Sequence, residues 1–580
     1  MDIDPGAVEI AKLRLWLSLV VDEEDIKQIK PLPNLDYKIV CGNSLLGYPY
    51  TPTGLEKIER LKELFFNETR PKEKNELREQ IDHSIYDLFK NTENSLGYRV
   101  TVDFKINFSE VFHDNKGFDV VIANPPYVGE KGHKEMFREI KKGNLGRFYQ
   151  GKMDLFYFFY HISLDIGKQH SNIAFITTNY YPTATGAKKL RQDFKERAII
   201  KNLVNFNELR IFESALGQHN MITILEKSHN ERAIAQTCIS QRQGVATPEI
   251  LQQIQNRIDT ETQYYKVAQK DLYDGDENYI RLIGSSEISN SPIQTILERV
   301  RKQGESLGII CNVNQGIVTG ADKVSKKHIK KYRINAKVGD GIFVISDKEV
   351  RALNLTKAET EVLKPWFKNS DINRWKTLLH GPEQIIYSNY NTIDNIGKFP
   401  DIEKHLKKYR KIIAQYAYRW HDLHRSREKE IFESPKIVVP QRSPRNTFGY
   451  NEIPWYAASD VFFITKKNEH KDISLKYILA LLNSKLYYVW LYFRGKRKGE
   501  TLELIAKPLS EIPIKKIHES EQKPFIELVD RILAITEDED YLQNHQKQAQ
   551  VNALEQEIDQ MVYQLYGLNE EEIRIVEGDK

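Results

Sequence analysis

Cysteine is scarce. The 580 residues hold three, Cys41, Cys238 and Cys311, spaced too widely for a C-x-x-C pair or a disulfide framework. That excludes a disulfide-stapled secreted scaffold, suggests no zinc or other metal site, and fits a reducing compartment. Glycine (30) and proline (21) are too few for a collagen-like or low-complexity chain. No uncharged apolar run approaches the ~18 residues that span a bilayer, and the opening Met-Asp-Ile-Asp is not a basic leader. A cytoplasmic protein with no membrane partner is expected. What the chain does have is 40% hydrophobic and 29% charged residues, the balance of a globular protein. At roughly 150 residues per domain, its length suggests about four domain-sized units, with two or three real domains expected.

The net charge of +4 hides an asymmetry along the chain. Residues 301–337 carry nine Lys/Arg against two Asp/Glu, and residues 401–445 carry twelve against six. The last stretch, 516–580, carries six against sixteen. Basic stretches in a near-neutral chain are the footprint of a nucleic-acid surface, although solvated helix faces also produce them.

Asp4-Pro5-Gly6 precedes Val8, Ala11, Leu15 and Leu19 at helical spacing, so Asp4 reads as a helix cap and Pro5 as the first helical residue. Tyr37 to Cys41 is a short β-prone run that stops at Gly42-Asn43-Ser44. Residues 53–92 read as a charged helical insertion. Phe118 to Ala123 has the β-branched apolar character of a strand buried on both faces of a parallel sheet. It ends at Asn124-Pro125-Pro126-Tyr127, a stiff loop at a strand's carboxyl end, where open α/β sheets hold their ligands. Further strands are expected at Ile173 to Thr177, Ile199 to Phe206 and Met221 to Leu225, with helices near Asp154 to Ile166 and Ala187 to Arg197. This alternation predicts a doubly wound α/β sheet over residues 1–228. From 229 to 515 the strands become shorter and aromatic-rich (Gln384 to Tyr387, Lys436 to Val439, Val461 to Thr465), marking a second, α+β domain. Residues 516–580 read as helical, with Leu554, Ile558, Met561, Val562 and Leu565 at three- and four-residue spacing.

The loop at 124–127 carries a chemical possibility. An exocyclic amine on an aromatic ring is a poor nucleophile because its lone pair is delocalised. Two acceptors fixed beside its hydrogens, the Asn124 side-chain oxygen and the Pro125 carbonyl, pull the nitrogen towards tetrahedral geometry, while the prolines remove slack. Tyr127 offers a face on which an extruded base stacks. The string Phe118 to Tyr127 resembles the catalytic strand and loop of adenine-specific DNA methyltransferases of the type IIG and TaqI-like restriction-modification group. The resemblance implies a Rossmann-like class I methyltransferase sheet, S-adenosyl-L-methionine as cofactor and double-stranded DNA as partner.

The same resemblance implies further site residues. Asp2 matches the acid that accepts hydrogen bonds from the cofactor ribose; Asp4 stands beside it, though the cap reading is the stronger one. Asn43 matches the residue that holds the cofactor's adenine amine. Lys152 to Phe156 resembles a wall of the cofactor pocket, with Phe156 to Tyr160 also reading as plain core. Phe212, with His219 behind it, is the candidate second stacking partner for the base. The sequence departs from the group in one respect: members carry a first strand and a Gly-rich cofactor loop upstream of the Asp2 position, and neither precedes Asp2 here. A sheet lacking its first strand, inactive until a separate N-terminal fragment completes it, is therefore expected. The group's nuclease domain is likewise not represented, so no DNA cleavage is expected.

Beyond residue 300, Asn314 to Gly320, Leu363 to Trp366 leading to Asp371-Ile372, Leu482 to Lys485 through Lys496, and Glu557 to Leu568 resemble the TaqI-like target-recognition domain. Arg494, Lys496, Arg497 and Lys498 beside Tyr487, Tyr488 and Tyr492 form a cation-plus-aromatic cluster suited to phosphates, as do Arg442 and Arg445; a solvated basic face is the plainer reading of each. Two other readings stay open: a non-catalytic DNA-binding specificity subunit, and a methyltransferase acting on a protein glutamine amide by the same loop logic.

Overall fold

A computed structural model describes residues 1–20, 35–49, 55–213, 217–283, 292–498, 501–538 and 540–578. The chain forms two compact units, Met1–Asn290 and Ser291–Lys580.

The first unit opens with α1 (Pro5–Val20), capped by Asp4, whose Oδ1 accepts from Gly6 N (2.7 Å) and Ala7 N (3.1 Å). The charged insertion folds as expected into a helical hairpin, α2 (Leu55–Asn67) and α3 (Pro71–Phe89), closed on Ile58, Phe65 and Ile81. Its sheet comprises β1 (Phe118–Ala123), β2 (Gly167–Thr178), β3 (Ile199–Asn205), β4 (Asn220–Glu226), β5 (Ile234–Ser240) and β6 (Thr262–Ala268), in the order β1-β2-β4-β3-β5-β6. Pairing is parallel for β1–β2 and β3–β5 but antiparallel for β2–β4, β4–β3 and β5–β6. The sheet is therefore mixed rather than purely parallel, and it continues past residue 228 into β5 and β6. Two helices cover it: α4 (Leu155–Ile166) and α5 (Lys188–Arg197). Helix α4 buries Phe156, Phe158, Tyr160 and Leu164, and Tyr160 meets Phe175 of β2 with ring centroids 4.6 Å apart.

Two expectations need correction. The run Tyr37 to Cys41 makes no strand; only Cys41 pairs, in a single parallel bridge to Asp2, and Tyr37 has φ +63°. An extended segment is held only by the neighbour it bonds to, and this one has a single rung. Strand β1 is not buried on both faces either. It has β2 as its one neighbour among the described residues, leaving Val120 53% and Ile122 77% exposed. Of the anticipated α1 face, Val8 is buried and Ala11 half-buried, but Leu15 is exposed, as are Ile10, Leu13 and Leu17; the Leu19 side chain lies outside the described residues.

The second unit contains an antiparallel sheet of β7 (Cys311–Gln315), β8 (Lys436–Pro440), β9 (Gly449–Asn451) and β10 (Val461–Lys466), ordered β7-β10-β8-β9. A second small sheet joins Val344–Ser346, Glu383–Ile386, Leu363–Phe367 and Tyr456–Ala457. The unit also contains the short helices α6 (Lys326–Tyr332) and α7 (Arg410–Ile413). The helices α8 (Leu475–Asn483), α9 (Lys485–Arg494), α10 (Glu519–Thr536), α11 (His545–Tyr566) and α12 (Glu570–Glu577) share one core with the first of these sheets. Leu554, Ile558 and Val562 of α11 are buried in it, as their spacing predicts, and Met561 and Leu565 pack at its margin.

Inside this core, Arg374 pairs with Glu555 at 3.1 Å, and Asp559 Oδ1 accepts from Lys485 N at 2.7 Å. Burial pushes the Asp559 carboxyl up to about 6. The folded unit thus holds this proton more tightly than the unfolded chain, so ionising Asp559 costs stability at neutral pH, and the cost fades as the pH falls through about 6. Asp559→Asn keeps an acceptor for Lys485 N and is expected to raise unfolding free energy by up to about 3 kcal/mol near pH 7.5, with about half that gain near pH 5. Denaturant unfolding of both proteins at the two pH values checks this; a gain that does not shrink on acidification contradicts it.

Candidate active site and basic surfaces

The carboxyl end of β1 delivers Asn124, exposed, and Pro125, buried. Tyr127 turns back towards the sheet. Its single hydroxyl proton is shared between Asn124 Oδ1 (3.0 Å) and the carbonyl of Ile176 on β2 (3.0 Å), and its half-buried ring packs edge-to-face on Phe156 with centroids 6.2 Å apart. Burial raises the Tyr127 pKa, with the buried Asn220 side chain opposing it, so the phenol stays a proton donor at neutral pH. The Asn124 amide is thereby oriented: its oxygen faces a donor and keeps a second lone pair. The Pro125 carbonyl accepts no hydrogen bond from the described residues.

The residues after Tyr127 are stitched to the segment before α4. Leu155 N donates to Val128 O (2.8 Å) and Glu130 N to Met153 O (2.9 Å). Behind that segment Gly186 lies against backbone; a β-carbon there would sit 1.9 Å from the Lys152 carbonyl. Of the wall segment Lys152 to Phe156, Met153, Leu155 and Phe156 are core, and burial raises the Asp154 pKa.

The structure brings Asp2 and the Asn43 loop together. Gly42 N donates to Asp2 O (2.8 Å) beside the Asp2–Cys41 bridge, and Gly42 passes so close to Val102 that a β-carbon would lie 2.4 Å from its side chain. Asp2 is exposed, with Oδ1 accepting from Asp4 N (2.9 Å), and Asn43 Oδ1 accepts from Leu45 N (3.0 Å). Asp4 Oδ1 is taken by the α1 cap. Phe212 is half-buried between β3 and β4, whereas His219 is buried with Nδ1 2.8 Å from the Asn207 carbonyl. Asn220 and the tying role of Tyr127 were not anticipated from sequence; a hydroxyl that reaches a neighbouring strand leaves no local signature.

The two basic clusters proposed from sequence converge on one ribbon, in which Thr501–Glu503 pairs with Arg442–Ser443 on one side and Arg497–Lys498 on the other. Glu503 sits among them, 3.3 Å from Arg442 and 2.7 Å from Lys496. Arg494 is turned inward: its side chain is 7% exposed and 2.8 Å from Glu298. Arg497 lies 3.8 Å over the Tyr492 ring, and Arg445 is exposed. The Lys498 side chain lies outside the described residues. Tyr487 is buried, its hydroxyl on the Pro513 carbonyl (2.6 Å), so it offers nothing to a ligand. Among the described residues no helix is long and apolar enough to cross a membrane, and no His/Cys/Asp/Glu group is arranged to hold a metal ion.

Comparison with known proteins gives this geometry a context. Residues 1–212 match the family model of the Eco57I restriction-modification methylase, and residues 402–514 that of the TaqI-like C-terminal specificity domain. The type II methyltransferase M.HindII of Haemophilus influenzae is 25% identical over 432 residues, covering 71% of this chain and 78% of its own length. M.BanIII of Aneurinibacillus aneurinilyticus, also a type II methyltransferase, is 22% identical over 417 residues, 66% of this chain and 67% of its own. Among solved structures, the type IIL restriction-modification enzyme MmeI in complex with DNA is similar with a TM-score of 0.53 at 14% identity, over 86% of this chain and 62% of that one. At that identity the likeness concerns the fold.

Removing the Tyr127 hydroxyl tests the tie. Tyr127→Phe is expected to lower unfolding free energy by about 1 kcal/mol through the lost bond to the Ile176 carbonyl, while Asn124→Ala, at an exposed acceptor, costs less than about 0.5 kcal/mol. Denaturant unfolding resolves the two; equal losses would show that the hydroxyl does not anchor the loop.

Proposed function

For a chain that joins an Eco57I restriction-modification methylase region to a TaqI-like C-terminal specificity domain, we propose site-specific methylation of the 6-amino group of adenine in double-stranded DNA, within a restriction-modification system of the type IIG kind. The observation that carries the reading is the exposed Asn124 amide at the end of β1, its oxygen oriented by the Tyr127 hydroxyl at 3.0 Å beside a Pro125 carbonyl that has no hydrogen-bond partner among the described residues. On this reading the target adenine swings out of the duplex, at a cost of ~a few kcal/mol. Its amine hydrogens meet the second lone pair of Asn124 Oδ1 and the Pro125 carbonyl. Both acceptors are held before the base arrives, so the lone pair of the nitrogen is aimed without reorganisation of the loop. Pro126 and the exposed part of the Tyr127 ring line the place of the base, with Phe212 on the loop before β4.

S-adenosyl-L-methionine, when bound, supplies the electrophilic methyl group. The residues present fit its ribose and adenine ends. Asp2 is exposed and keeps one carboxylate oxygen without a partner among the described residues, and Asn43 Oδ1 keeps a lone pair beyond its bond to Leu45 N. Asp4 contributes by fixing the helix start next to Asp2. Supporting an additional strand is the open side of β1, where Val120 and Ile122 face outward and α1 exposes Ile10, Leu13 and Leu17. An uncovered edge strand with apolar side chains is a site for strand addition. We take that edge to pair with a further strand that completes the cofactor site.

Expression of the chain in a host without DNA methylation of its own, followed by chromatography of hydrolysed DNA, tests the reading. N6-methyladenine is expected with the native chain and at least a hundredfold less with Asn124→Ala. Label appearing on glutamine of a protein substrate, or DNA binding with no methyl transfer, would overturn adenine methylation; the second outcome is that of a non-catalytic specificity subunit.

A further inference from the structure

We infer that the DNA-engaging surface of the second unit is a basic bed formed by α6 and α7, with Tyr418 standing from it as an aromatic tooth that stacks on DNA bases. The inference rests on the reading of this unit as a DNA-binding domain. The two basic stretches, separated by more than sixty residues in sequence, meet in space: Gln415, just beyond α7, donates through Nε2 to the Tyr332 hydroxyl at the end of α6 (2.7 Å). The junction carries Lys326, Lys327, Lys330, Lys331, Arg410 and Lys411, all exposed. None of the six pairs with a carboxylate among the described residues; Lys331 instead lies 4.9 Å over the Tyr332 ring and Arg410 5.1 Å over the Trp420 ring. That separates this surface from the ribbon at 442–503, where Arg442 and Lys496 share the single carboxylate of Glu503. Unpaired cations are the ones that replace counterions on a phosphate backbone.

Tyr418 is fully exposed, yet its loop is clamped. Arg419, its neighbour, forks onto the Asp422 carboxylate through Nε and Nη2 (2.7 Å each) and reaches the Ile393 carbonyl through Nη1 (2.8 Å). Leu423 N closes the far side on the Ser388 carbonyl (3.0 Å). The loop beyond Ser388 presents a second ring, Tyr390, 78% exposed, with the Arg419 guanidinium 5.3 Å from its centroid. Single exposed aromatics are ordinary on protein surfaces, but two rings on loops locked by one arginine, in a segment with six cations that have no carboxylate partner among the described residues, form an ordered platform. Bases stack on such rings irrespective of sequence, and aromatic wedges also enter base steps.

Fluorescence anisotropy of the full chain with a labelled duplex of randomised sequence, over a range of salt, tests this. Replacing Lys326, Lys327, Lys330 and Lys331 with Ala is expected to weaken binding at least tenfold and to flatten the plot of log affinity against log salt by about three units. Tyr418→Ala is expected to weaken binding about tenfold with the salt slope unchanged, and Tyr418→Trp to restore it. All these side chains are exposed, and thermal melting verifies that each variant folds. If the native chain binds the duplex with a steep salt slope but the variants bind as it does, the inference is overturned while the DNA reading stands, and loss of slope in Arg442→Ala/Lys496→Ala/Arg497→Ala would move the contact to the ribbon. If the native chain binds no duplex at any salt, the inference falls together with the DNA reading.

Discussion

The candidate chemistry depends on one hydroxyl. Tyr127 sits four residues beyond the end of a strand that has a partner on only one side among the described residues, so the loop does not draw its rigidity from strands on both flanks, as a loop in the middle of a sheet does. It is secured from within: the Tyr127 hydroxyl reaches the Ile176 carbonyl on β2 and the Asn124 oxygen at once, and the next residues are laced to the segment before α4 by Leu155 N on Val128 O and Glu130 N on Met153 O. The prolines limit the backbone locally, and these bonds convert that local stiffness into a fixed position relative to the sheet. Two acceptors that must meet the same nitrogen need both kinds of restraint, because a rigid loop on a wandering hinge would present them at a variable angle.

Much of the first unit was legible because its elements are defined by their own residues. The apolar run of α4, the charged hairpin α2–α3 and the β-branched strands β2 to β4 carry their burial in composition and period. What was not legible is relational. The run Phe118 to Ala123 looks the same whether it lies at the centre or the edge of a sheet, and nothing in β4 records that it runs antiparallel to both of its neighbours. Tyr37 to Cys41 has the side chains of a strand but one rung to pair with, and the backbone turned instead. At the candidate site, Asn124, Asp2 and Asn43 are proposed from motif and resemblance, whereas the tie from Tyr127 to β2 spans 49 residues and exists only once the sheet has formed.

Charge teaches the same lesson at larger scale. Counting lysines and arginines located the basic stretches but could not separate cations that face outward from those already answered. Arg494 belongs to the densest sequence cluster and is buried on Glu298, while Lys496 and Arg442 share Glu503. The less conspicuous lysines of α6 have no carboxylate partner among the described residues, because that short helix carries no acidic residue and meets a second basic segment. A surface potential is set by which carboxylates the fold brings near, so a modest run of cations without such partners outweighs a denser run that has them.

The two units differ in how far each satisfies itself. In the second, polar groups drawn into the core are answered from within the unit: Arg374 by Glu555, Asp559 by the Lys485 amide, Asn483 by the backbone of Phe448. Its sheets and helices enclose a continuous apolar core, which is the condition for a fold that holds its shape before any ligand arrives. The first unit has its own core beneath β2 and α4, but β1, which leads into the loop that carries Asn124, leaves Val120 and Ile122 exposed, as α1 leaves Ile10, Leu13 and Leu17. Burying such surface is worth roughly 25 cal/mol per Å², so the edge next to the candidate site is where a further segment gains most by binding. The same contact that relieves this exposure would stiffen β1 from its free side, which is the side on which the Asn124 loop now lacks a brace.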